Sequence, residues 1–107
     1  MVYVVLCCPG WSSGPVLWAD TFRRRWRGLR PRPNGHGLLL PGSSAHGVGM
    51  AEPLLVVGVS AEHRVVAVRT LRPGRMVWAR GARFLIELPA DHPPPPVGAR
   101  VEIVRRT

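Results

Sequence analysis

At 107 residues, 30 of them Leu, Ile, Val or Phe, the chain has material for one domain with one modest core, and too much of it for a disordered polymer. No apolar stretch reaches the ~18 residues that span a bilayer, and the opening MVYVVLCC lacks the basic start and small-residue cleavage site of a secretory signal. Cys7 and Cys8 are adjacent, which suits neither a disulfide nor a zinc site, so a cytoplasmic protein with reduced thiols and no cofactor is expected.

Val is the commonest apolar residue and favours strands. Gly and Pro together make 24 residues, which many turns between short strands account for. In chain order, VYVVL at 2–6 is a strand, PGWSSGP reads as loop, and VLWAD resumes a strand. A short helix follows at about 20–28, with Asp20 as N-cap and Phe22, Trp26 and Leu29 spaced along one face. Gly28, Pro31 and Pro33 end it. Asn34-Gly35 marks a turn before GLLLP, a short buried strand. PLLVVGV, SAEHR and VVAVRTL form strand, turn and strand of a hairpin, and RPGR at 72–75 is a turn centred on Pro73-Gly74. RFLIEL alternates, placing Phe84, Ile86 and Leu88 on one face and Arg83 and Glu87 on the other. DHPPPP cannot pair, and RVEIV is a last strand. The elements predict a mainly β (α+β) domain, a small barrel-like antiparallel sheet with one short helix.

The net charge of +9 is uneven, and every basic residue is Arg. Residues 19–32 carry a local +5 and residues 64–83 a local +6, around a middle at −2. The islands at 23–32 and 64–83 hold Trp26 and Trp78, residue types that stack on bases, so a basic nucleic-acid-associated protein is one reading. Non-specific electrostatics gives the same charge pattern less meaning, and no zinc-finger, helix-turn-helix or RNA-recognition pattern is present.

GSSAHGVGM at 42–50 places Ser44 two residues before His46, on one face of a strand. As a catalytic pair they would also need an acid, from Glu52 or Glu87, and oxyanion donors; Gly-x-Ser-x-Gly is absent. No catalytic residue is therefore assigned. His36, His46, His63 and His92 lie 10, 17 and 29 residues apart, a spacing that predicts no metal site.

Three segments carry a resemblance: ADTFRRRWRGLRPRP, HGLLLPGSSAHGVGMAEPLLVVGVS and LRPGRMVWARGARFLIELPA. In their order and spacing they resemble the DUF192 family (UPF0127) in its actinobacterial form, over about residues 16–104, with residues 1–15 standing outside as an N-terminal extension. The resemblance implies a single small β barrel-like domain with one helix, in a family of no established activity whose members are often exported or membrane-tethered. Its recurring positions map to Ser44, His46, Gly49, Met50, Pro53, Leu54 and the Glu87 strand. The sequence departs from the pattern at Leu55 and Ala99, where acids are usual, at Gly58, where an aromatic is common nearby, and at Asp91, where Gly is expected. The resulting expectation is a non-catalytic binding or assembly module, its cleft beside residues 44–54 rimmed by Arg23, Arg27 and Arg30. A protein partner, or nucleic acid through the Arg islands, remains open, as does the oligomeric state.

Overall fold

The computed structural model describes residues 3–18, 37–48 and 50–106. Its elements are strands β1 (Tyr3–Cys8), β2 (Trp11–Trp18), β3 (Gly37–Pro41), β4 (Ser44–His46), β5 (Leu54–Val59), β6 (Val65–Leu71), β7 (Met76–Trp78), β8 (Phe84–Pro89) and β9 (Glu102–Arg106). Seven of them make one sheet in the order β6-β5-β8-β3-β2-β1-β9, and β4 and β7 make a separate ribbon. The mainly β class holds. No helix occurs among the described residues, and the one expected at about 20–28 lies outside them. Likewise, no helix among the described residues is long and apolar enough to cross a membrane.

Two details of the expected sheet are corrected. It is mixed rather than antiparallel, because β2 and β3 run parallel, Val16 opposite Gly37 and Trp18 opposite Leu39. Residues 19–36 separate those strands, a connection long enough for a parallel crossover. Nor does the sheet close into a barrel: β6 and β9 are its two edges. They meet at one corner, through the Arg64–Arg100 bridge, Val65 N–H donating to Ala99 C=O (2.9 Å) and Val101 N–H to His63 C=O (2.8 Å). Pro93–Pro96 cannot donate to a ladder, so β9 starts too late to run along β6.

Of PGWSSGP, expected as loop, Pro9 and Gly10 form the turn, and the rest, from Trp11 to Pro15, is the start of β2. Between the pairs Val5–Pro15 and Cys7–Ser12, β1 has one residue and β2 two, so Ser13 and Gly14 form a bulge. Gly14 takes a φ of +67°, which explains the glycine. Ser13 Oγ accepts the Leu6 N–H (3.0 Å) that the bulge would otherwise orphan, and donates to Gly14 C=O (2.6 Å). Trp11 then anchors the proline segment, donating its Nε1–H to Pro93 C=O (2.6 Å) and meeting His92 edge-on.

β5, β8 and β3 are buried on both faces. The inner residues of β5 and β8, Leu55, Val57, Val59, Ile86 and Leu88, pack with Val4, Leu6, Trp11, Val16, Leu39, Val65 and Val101 inside the curl of the sheet. On the outer face, Leu54, Val56 and Leu85 pack with Ala67 and Leu71 beneath Ala45 of the ribbon and Ala79 just after it. Glu87, expected on a polar face, is instead 4% exposed, on the outer face between Val56 of β5 and Leu38 of β3. Alternation in β8 does not separate wet from dry, because neither face meets water.

The ribbon sits close because Gly58 has no side chain: a Cβ there would lie 2.5 Å from Ala79 Cβ and 3.2 Å from Ala82 Cβ. Gly58 is thus matched by two alanines in the layer above it. Gly58→Ala is expected to lower stability by about 1–3 kcal/mol in denaturant unfolding, and adding Ala79→Gly to recover part of that loss. A second conformational prediction concerns His63, the one non-glycine residue with positive φ (64°) among those described. Replacement by β-branched Val is expected to cost about 1–2 kcal/mol by the same measurement.

Candidate functional site

The ribbon is built from two turns that the sequence makes unavoidable. Arg72–Arg75 closes with Arg75 N–H donating to Arg72 C=O (3.0 Å), and Gly74 supplies the positive φ of 74° that Pro-Gly turns require. Gly47 fastens that turn to the end of β4. Its N–H donates to Arg75 C=O (2.7 Å), and its C=O accepts from Gly74 N–H (2.9 Å) and Met50 N–H (3.1 Å). A side chain at 47 would collide with Arg72 C=O. At the other end Ala79 N–H donates to Ser43 C=O (2.8 Å), and Gly42 N–H to Arg83 C=O (2.9 Å).

This register sets Ser44 opposite Trp78, Ala45 opposite Val77 and His46 opposite Met76. Directly opposed residues share a face. Ala45 and Val77 face the outer core, so Ser44, His46, Met76 and Trp78 face away from it. Trp78 is 62% and Met76 49% exposed, with Val48 at 58% just beyond β4. Ser44 is exposed and His46 half-buried. Arg72 and Arg75 stand at one end of this face and Arg80 at the other, in a stretch with no acid between residues 63 and 86.

Ser44 and His46 do share a face, as their spacing requires, but their cross-strand neighbours are Trp78 and Met76. Neither side chain can take a proton from an imidazole. Glu52 is exposed in the bend before β5, and Glu87 is buried in β8. Of the other positions named by the resemblance, two support the ribbon from beneath. Met50 packs against the outer core, Leu54 is part of it, and Pro53 is exposed. Gly49, with Arg23, Arg27 and Arg30 of the expected rim, lies outside the described residues. Of the other histidines, His63 meets Phe84 edge-on and His92 meets Trp11, while His36 is not among the described residues. A cavity of about 270 Å³ exists, but it opens at the end of β2 and β3 and not beside His46.

Sequence reasoning missed Met76 and Trp78 as surface partners of Ser44 and His46. The signal was present in RMVWAR, an alternating triplet between arginines directly after a Pro-Gly turn. What it lacked was the strand to pair with.

Among curated proteins, the chain is 36% identical over 85 aligned residues to a UPF0127 protein of Pyrococcus abyssi, covering 72% of this chain and 73% of that relative. The chain belongs to the UPF0127 family. No family profile and no solved structure matches it. Within this UPF0127 chain, Leu55 is 7% exposed and packs in the inner core, where a carboxylate would be buried among Val, Leu and Ile.

The orientation of the ribbon makes a direct prediction. Met76→Ser and Trp78→Ser are expected to change unfolding free energy by no more than about 0.5 kcal/mol. Ala45→Asp, on the opposite face, is expected to cost more than about 2 kcal/mol by burying a charge. Thermal and denaturant unfolding of the three variants checks it.

Proposed function

We propose that this UPF0127 chain is a non-catalytic binding module that docks a protein partner on the outward face of the β4–β7 ribbon. The observation that carries this reading is the exposure of Met76 and Trp78 side by side on a backbone pinned at both ends. Trp, Met and Arg are the side chains that concentrate at the centres of protein interfaces. A surface fixed before binding loses little conformational freedom on docking. Arg72, Arg75 and Arg80 around an apolar centre favour a partner whose matching patch is apolar with an acidic rim.

A second reading has one observation in its favour. Trp78 lies between Arg75 and Arg80, the aromatic-and-cation arrangement on which single-stranded nucleic acid stacks. Against it, the second Arg island does not form one continuous track. Arg64 donates to Gly98 C=O (3.0 Å) at the sheet corner, and Arg83 lines the cavity.

One experiment separates the two. A photo-crosslinking residue at position 78 of the full chain, activated in cells, is expected to capture one protein species, and Met76→Ser to abolish the capture. Failure to capture any protein overturns the protein-partner reading. In parallel, fluorescence anisotropy with random single-stranded DNA and RNA is read at about 50 and 200 mM salt. Binding that persists at the higher salt and is lost in Trp78→Ala transfers the ribbon to nucleic acid.

A further inference from the structure

The inner face of the sheet is closed at the Trp11 end, by the proline segment, and open at the other. At the open end Trp18, Leu39, Pro41, Phe84 and Ile103 surround a cavity of about 270 Å³, and the charged side chain among its lining residues is Arg83. Ile103 of β9 lines this mouth together with Leu39 of β3 and Phe84 of β8, next to the corner where the chain before β9 bonds to His63 and Val65. An apolar cavity of ~150 Å³ already admits benzene, so this one has room for a ring or branched chain with a short linker.

The walls are set before any ligand arrives. Pro41 and Phe84 are register partners, as are Trp18 and Leu39. The Phe84 ring meets the His63 ring edge-on, with centroids 6.4 Å apart. Arg83 is fixed by its backbone on both sides, its N–H donating to Val59 C=O (2.7 Å) and its C=O accepting from Gly42 N–H (2.9 Å). Its side chain is exposed, so a permanent cation stands at the rim of an apolar hole with no acid in the lining. A guanidinium there offers two parallel N–H donors that fit a carboxylate.

We infer that the mouth of the sheet is a binding site for a small apolar monocarboxylate, an aryl- or branched-alkanoate, with its hydrocarbon against Leu39, Phe84 and Ile103 and its carboxylate on Arg83. The site is independent of the ribbon, which lies on the other side of β5 and β8.

The test uses the full chain with 3-phenylpropanoate and its neutral amide as probes, titrated by NMR. The carboxylate is expected to shift the Trp18 indole and the Leu39 and Ile103 methyl signals, and to bind at least tenfold more tightly than the amide. Arg83→Gln, at an exposed side chain, is expected to bring the two affinities within about twofold. Ile103→Trp, which fills the mouth, is expected to abolish both while leaving the crosslink from position 78 unchanged. Absence of shifts with either probe overturns the site. So do equal affinities in the unmodified chain, shifts confined to other residues, or a carboxylate preference that survives Arg83→Gln.

Discussion

A strand from which both faces are shielded must be covered twice, and β5 and β8 impose that condition on everything around them. Leu55, Val57 and Val59 are covered by the curl of the sheet, which brings β1, β2 and β9 round. Leu54, Val56 and Leu85 are covered by a layer that the chain builds from two three-residue strands. So small a ribbon cannot hold itself together; isolated two-stranded units are marginal in water even at greater length. It is held by what lies beneath it and by the turn that Gly47 fastens.

The outward face of the ribbon is a by-product of this arrangement. Alternation along β4 and β7 points Ala45 and Val77 down, and therefore points Ser44, His46, Met76 and Trp78 up. The stretch from Ser44 to Leu54 is thus divided between two roles: one face of β4 presents side chains, and Met50 and Leu54 after it root the ribbon in the outer core. The Gly58–Ala79 contact joins those roles. A larger residue at 58 would lift the chain just after β7, and with it the position of Trp78.

Elements framed by glycine or proline were legible in the sequence. The Pro73-Gly74 turn, the hairpin of β5 and β6 and the GLLLP strand form where local pattern places them, and the final strand forms two residues later than RVEIV. Three readings went differently for one reason, which is that each depended on a partner strand. Ser13 and Gly14 looked like loop because bulges use loop residues, and only the mismatch against β1 makes them part of a strand. Glu87 looked solvated because alternation shows which residues share a face but not whether that face is wet. The sheet was expected to be antiparallel and closed, yet β2 beside β3 is parallel, and the late start of β9 leaves the edges apart.

The amino-acid sequence by itself determined the β class, the Pro73-Gly74 turn and the fact that Ser44 and His46 share a side, since these follow from backbone chemistry and a period of two. It also carried the family, through the order of motifs that no single stretch makes specific. Tertiary structure alone decided that Ser44 and His46 stand opposite Trp78 and Met76, residues 34 and 30 positions later that meet them only when the Arg72–Arg75 turn docks on Gly47. It likewise decided that Trp18, Phe84, Arg83 and Ile103 surround one cavity. Such juxtapositions depend on strand order, and strand order is selected by which faces can be buried together rather than by any residue's local preference.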